Sequence, residues 1–395
     1  MSNKYRYTFI LSFSFFLLLS TTESFGQSKK EYIKAVAQKG DGIYVLLGRY
    51  HLDRNSCSLK QFCKLNGLKK NSSLKLGKTY QLPIRKYRYN QKSIRTTAHI
   101  KDWQSAKQIE RYNDLMVDLG YKASDFRRGT RELWVPHHMK YCPLDVSKFV
   151  PENRNFPIFG AKYASVPLKD EKLAGAVYYI VAGHGGPDPG AMGKYKGKDL
   201  CEDEYAYDIS LRLARNLVEH GAIVYFIIRD KNDGIRNLEY LKADIDERCW
   251  PNDVIPISQK ARLTQRSDII NELYEKNRRR GIEYQRMIAL HVDSRVKSKR
   301  IDLFFYHYPS SQAGKALASK LHHTMKAKYA VNRKTGEYHG TVTPRDLHML
   351  REVKPLPIFI EVGNIQNPND QKRILYSSNR QALADWLEEG LLKDY

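Results

Sequence analysis

Beyond Gly175, short apolar runs alternate with longer stretches whose apolar residues recur every three or four positions. Ala176–Ala182, Ala222–Ile228, Met287–His291, Ile301–Tyr306 and Leu356–Glu361 are continuous apolar runs of strand length. Between them, residues 203–219, 258–280, 311–328 and 371–391 have helical spacing, clearest in the stripe Tyr205, Ile209, Leu213 and Leu217. Strands without polar alternation are buried on both faces, so the pattern predicts an α/β unit over 171–395. Its sheet should be mainly parallel and twisted, with helices on both faces.

The front of the chain has a different grain. Residues 29–84 read as strand, helix, helix, strand, a small α+β module. Gly40-Asp41 turns into a helix with an apolar face of Ile43, Leu46, Leu47 and Tyr50; Asn66-Gly67 ends a second helix; Tyr80 and Leu82 alternate on a closing strand. Residues 85–170 begin with a basic, tyrosine-rich run (RKYRYNQKSIR), expected to be a solvated linker, and they contain a possible degenerate copy of the first module. Pro143, Pro151 and Pro157 break the chain before the larger unit. Ahead of everything, Lys4 and Arg6 precede the apolar run Thr8–Ser20 and then Ser24-Phe25-Gly26, the order of a cleavable export signal over residues 1–26. That run is shorter than the roughly 20 residues of a membrane span, so no stable membrane anchor is expected.

Charge then narrows the partner. The chain of 395 residues has 67 Lys plus Arg against 43 Asp plus Glu, a formal charge of +24. Such an excess favours an anionic partner, and an export signal makes an envelope polymer the expected one and argues against nucleic acid. The five cysteines, Cys57, Cys63, Cys142, Cys201 and Cys249, contain no CxxC pair and are odd in number. At least one is therefore free or pairs between chains; Cys57 with Cys63 is one possible bridge, single buried thiols the other reading.

Three predicted strands end in a titratable residue. The first runs into Gly183-His184-Gly185-Gly186-Pro187-Asp188-Pro189-Gly190-Ala191, the third stops at His291 and the fifth at Glu361. Parallel strands bring such ends to one edge of the sheet. Leu200-Cys201-Glu202-Asp203-Glu204, at the start of the first long helix, supplies further carboxylates within reach. Two imidazoles and one carboxylate form a hydrolytic zinc site, and a further carboxylate can move the proton of the attacking water. Glu202 and Glu204 are both candidate ligands on the residues alone, with Cys201 a weaker third donor. The remaining histidines, His137-His138, His322-His323 and those at 51, 99, 220, 307, 339 and 348, lack ligand spacing and read as structural or exposed.

Gly183–Gly193 (GHGGPDPGAMG) resembles the GHGGxDxGAxG signature of the zinc-dependent N-acetylmuramoyl-L-alanine amidases. The Glu202–Gly221 helix, Arg229, Arg266–Asn271 (RSDIIN), Glu361–Asn367 (EVGNIQN) and Asp370 follow that family's order. The resemblance implies zinc held by His184, Glu202 and His291, with Glu361 as catalytic base and peptidoglycan as substrate; it leaves the substrate-binding residues unknown. The chain departs from the family at Asp293, where an asparagine is usual, and in extra length at 230–257 and 273–285. The latter carries Arg278-Arg279-Arg280, expected on a solvated face. Residues 29–84 resemble a LysM domain, implying binding to the glycan of peptidoglycan, although Gly42 replaces the usual hydroxyl residue. The expected activity is an exported wall amidase, periplasmic or extracellular. A non-catalytic wall-binding protein and a zinc peptidase acting on wall peptides are the alternatives.

Overall fold

The computed structural model describes residues 31–53, 55–294, 300–333 and 337–395. The expected export signal at 1–26 lies outside the described residues. Among those described, no helix is long and apolar enough to cross a membrane.

Residues 32–139 share one core, built on Leu46, Leu47, Phe62, Leu82, Ile84, Ile109 and Leu133. Tyr32–Val36, Ile43–Arg49, Ser56–Asn66 and Thr79–Arg88 follow one another as strand, helix, helix and strand, the two strands antiparallel. Asn55 caps the second helix by accepting from the Cys57 and Ser58 amides, and Gly67 ends it in the left-handed conformation.

The boundary expected at residue 84 is not where the chain divides. The closing strand continues to Arg88 and pairs antiparallel with Glu132–Pro136, and the Trp103–Asp118 helix packs its Ile109, Tyr112 and Met116 into the same core. Basic residues are compatible with this strand because they are paired or only partly exposed; Lys86, for example, sits between Glu31 and Glu132. Of the two readings of the cysteines, a Cys57–Cys63 bridge is absent, while Cys201 and Cys249 are single buried thiols. Cys57 bonds Cys142, closing a loop with a sequence separation of 85, and Cys63, Cys201 and Cys249 are free.

The second core belongs to a six-stranded sheet. Its strands lie in the order Thr341–Pro344, Phe304–His307, Leu356–Asn364, Gln285–Asp293, Val177–Ala182 and Ile223–Phe226. Consecutive Tyr178 and Tyr179 show that both faces are covered. Tyr179 accepts a hydrogen bond from Asn277 of the Gln259–Arg279 helix (3.1 Å), while Tyr178 packs edge-on to Tyr284. The sheet is mixed rather than wholly parallel, because Phe304–His307 runs antiparallel to Leu356–Asn364. The link from Asp293 to Phe304 is too short for a parallel crossover, which needs a dozen residues or more.

The two parts meet through Arg278, which contacts His51 (2.9 Å) and pairs with Asp53 (3.3 Å). Arg278 is therefore mostly buried rather than on the solvated face expected of the arginine triplet. Arg111 likewise lies over the rings of Tyr284 and Tyr395, 4.5 and 4.2 Å from their centroids. A cleft of about 970 Å³ follows this seam, lined by residues such as Arg111, Tyr274, Tyr284 and Asp394 and by none of the residues at the sheet edge described next.

Candidate metal centre

Strand register sets the site. Gln285–Asp293 is flanked on both sides by parallel strands, with Leu290 opposite Ala182 and His291 opposite Glu361. Gly183 then donates its amide to the Leu290 carbonyl (2.8 Å), which carries His184 to the same edge. Glu202 arrives from elsewhere. The hairpin of Met192–Tyr195 and Lys198–Cys201 returns the chain, and Glu202 is the first residue of the Glu202–Glu219 helix.

His184, Glu202 and His291 thus converge, with one ligand atom from each lying within 4.8 Å of the other two. Glu202 joins the imidazoles. Its Oε2 lies 3.1 Å from His184 Nε2 and accepts from the Ala191 amide (2.8 Å); its Oε1 lies 2.9 Å from His291 Nδ1 and accepts from the Val292 amide (2.9 Å). The other nitrogen of His184, Nδ1, meets Asp188 Oδ2 at 2.9 Å, and Arg262 holds that same oxygen at 2.6 Å. A carboxylate behind an imidazole fixes the ring and its tautomer. Arg266 adds a bond to the His184 carbonyl at 2.6 Å.

The backbone is bent to fit. His184 has φ 63°, a conformation that non-glycine residues rarely adopt. A Cβ on Gly183 would lie 2.4 Å from His291 Nδ1, and one on Gly190 would lie 2.6 Å from His184 and 2.7 Å from Glu202 Oε2. The glycines leave room for the imidazoles themselves.

Electrostatics follow from burial and proximity. Burial disfavours charge on Glu202, but hydrogen bonds from His184 and His291 outweigh it and hold the carboxyl well below its ordinary range. Burial likewise opposes a proton on His184, yet Glu202 and then Asp188 raise its pKa to about 9. Burial dominates at His291, whose pKa is lowered. An ionised carboxylate with two imidazole nitrogens and a nearby anion is a donor set suited to a divalent cation of zinc type.

Glu204, the alternative ligand, is turned away. It pairs with Arg236 (2.8 Å), accepts from the Asp244 amide (3.1 Å) and belongs to a separate carboxylate group with Asp203 and Glu247. Register separates it from Glu202, since two residues along a helix point to different sides. Cys201 is buried, and burial with the adjacent carboxylates pushes its thiol up to about 11. Asp188, Arg262 and Glu247 were not singled out from the sequence. The spacing of His184 and Asp188 offered a faint signal; the other two depend on distant contacts.

Residues 179–393 match the family model described as Amidase_3, N-acetylmuramoyl-L-alanine amidase, over just more than half of the chain. The chain belongs to this amidase family. Among curated proteins, the amidase region is 23% identical over 226 residues to the germination-specific N-acetylmuramoyl-L-alanine amidase of Bacillus subtilis, covering 56% of this chain and 80% of that protein. It is 24% identical over 219 residues to the probable cell wall amidase LytH of Staphylococcus aureus, covering 55% of this chain and 58% of that one. Solved structures similar to the amidase region include an N-acetylmuramoyl-L-alanine amidase from Clostridium difficile 630 (TM-score 0.41, 19% identity, 55% of this chain and 95% of that one). Amidase AmiC2 of Nostoc punctiforme is another (TM-score 0.39, 21% identity, 56% and 97%).

Proposed function

We propose that this amidase-family protein is an exported, zinc-dependent N-acetylmuramoyl-L-alanine amidase that cuts the amide between N-acetylmuramic acid and L-alanine in peptidoglycan. The observation that carries the reading is the convergence of His184, Glu202 and His291 at the sheet edge, with Glu361 directly across the strand pair from His291. Those three residues would hold a zinc ion, which would supply Lewis-acid polarisation of the scissile carbonyl and a more acidic water. Glu361 takes the proton of the attacking water and returns it to the leaving amine of L-alanine. Asp188 and Arg262 keep the His184 ring oriented, and the buried imidazole of His291 stays neutral and able to donate its lone pair.

The strand–helix–helix–strand part of the front unit is the proposed LysM-like reader of the glycan, with residues 29–84 as its expected extent. Binding there would raise the local concentration of wall at the second domain. The basic excess of the chain supports the same direction, toward an anionic wall polymer outside the cytoplasm.

The test is the mass of products from a defined muropeptide, with and without chelator. The expected result is free stem peptide with an L-alanine amino terminus, lost on chelation and restored by Zn²⁺. Cleavage between amino acids of the stem would identify a peptidase instead, and wall binding without any turnover would identify a scaffold.

A further inference from the structure

A second group of acids lies beside the metal centre and takes no part in it. Residues 230–257, the extra length in this chain, fold over the start of the Glu202–Glu219 helix. One oxygen each from Asp203, Glu204 and Glu247 lies within 4.8 Å of the other two, and the same holds for Asp230, Asp244 and Glu247, so that Glu247 belongs to both trios. Asp203, Glu204, Asp230 and Glu247 are buried.

Arg236 answers Glu204 at 2.8 Å and also pairs with Asp233. Asp203, Asp230, Asp244 and Glu247 have no basic side chain within ion-pair distance among the described residues. Asp203 is the most deeply buried of these four. It is 2% exposed, and its Oδ1 accepts from the Glu204 amide (2.9 Å). Its Oδ2 is buried and has no hydrogen-bond partner among the described residues. A buried carboxylate oxygen without a partner, on a residue grouped with further carboxylates, calls for a proton, a water or an ion against it, and the clustered negative charge favours the ion.

We propose that Asp203, Glu204 and Glu247, with Asp230 and Asp244, bind a hard divalent cation of the calcium type that fastens segment 230–257 to the helix beginning at Glu202. The donor set is oxygen alone, whereas the neighbouring centre offers two imidazoles, so the two sites select different metals. Glu247 Oε2 also accepts from the Gly186 amide (2.7 Å), which ties the cation to the glycine loop bearing His184. The positive end of the helix favours acids at Asp203 and Glu204, but it does not reach the acids contributed by the segment.

The experiment uses the full chain, stripped of metal and reloaded with Zn²⁺. Ca²⁺ is titrated by calorimetry, Tb³⁺ by luminescence, and thermal unfolding is followed with and without Ca²⁺. The expected result is saturable Ca²⁺ binding that raises the unfolding temperature, competes with Tb³⁺ and persists in His291→Ala. In Asp203→Asn and Glu247→Gln, Ca²⁺ affinity should fall about tenfold or more, as for loss of one charged ligand. The carboxamides keep shape and remove repulsion, so both variants should fold, which circular dichroism and zinc content check. No Ca²⁺ binding to the parent protein, or equal binding in the two variants, overturns the proposal. So does a rise in unfolding temperature in both variants that Ca²⁺ does not reproduce in the parent, since the acids would then share protons rather than an ion.

Discussion

The front unit and the amidase domain are held together by different means. Residues 32–139 build a modest core on a three-stranded antiparallel sheet, and that core is supplemented by the Cys57–Cys142 cross-link and by the Arg278 contacts with His51 and Asp53. The amidase domain needs no disulfide. Its central strands are buried on both faces, and buried ion networks such as Asp208 with Arg212 and Arg380 tie its helices together. In the first region stability rests on a few discrete links. In the second it is spread through the sheet that also sets the positions of His291 and Glu361.

The largest effect expected from this contrast is in the chemistry. Glu361→Gln should lower amide hydrolysis by about 10³-fold while leaving attachment to insoluble peptidoglycan unchanged, as measured by product mass and by co-sedimentation with sacculi. Equal loss of both would mean that the regions do not divide the work. Next comes the cross-link. Cys142→Ser should cost the front unit about 2–5 kcal/mol, the usual cost of losing a native disulfide, and should lower only the first of two unfolding transitions in calorimetry.

Acid should also separate the regions. Burial, then the Arg278 charge, lowers His51 from 6.5 to about 4, and burial, then the neighbouring His137, does the same for His138. These imidazoles stay neutral when folded, and the unfolded chain binds protons first. Their stabilising contribution is thus complete above pH 6.5 and is lost as pH falls toward 4. Melts across that window should show the front unit weakening first, and His51→Gln should flatten its slope. The smallest effect is expected at Asp188→Asn, about tenfold in zinc affinity with little change in unfolding temperature, measured by competition with a chelating dye.

What could be read from the chain alone follows the same division. The apolar runs of the sheet, and the titratable residues ending three of them, are local patterns, so the α/β domain and the positions of His184, His291 and Glu361 at one edge could be inferred. The preference for Glu202 over Glu204 came from the family resemblance rather than from the helical stripe. The pairing of Cys57 with Cys142, the continuation of the closing strand to Arg88, and the burial of Arg278 depend on partners far away in sequence. Their local composition resembles ordinary solvated chain. The antiparallel course of Phe304–His307 was available in principle from the shortness of its link, a length argument rather than a hydropathy one. Nothing periodic marks Asp230, Asp244 and Glu247, whose meeting is fixed by an irregular segment.

The rung shared by His291 and Glu361 has a consequence for how this molecule can fail. Side chains alternate faces along a strand, so sliding one of these two strands by a single residue would send its functional group through to the other side of the sheet. With the roles proposed for His291 and Glu361, errors of assembly there would yield an inert protein rather than a sluggish catalyst, and competence for the reaction would report that the innermost strands have found their proper alignment.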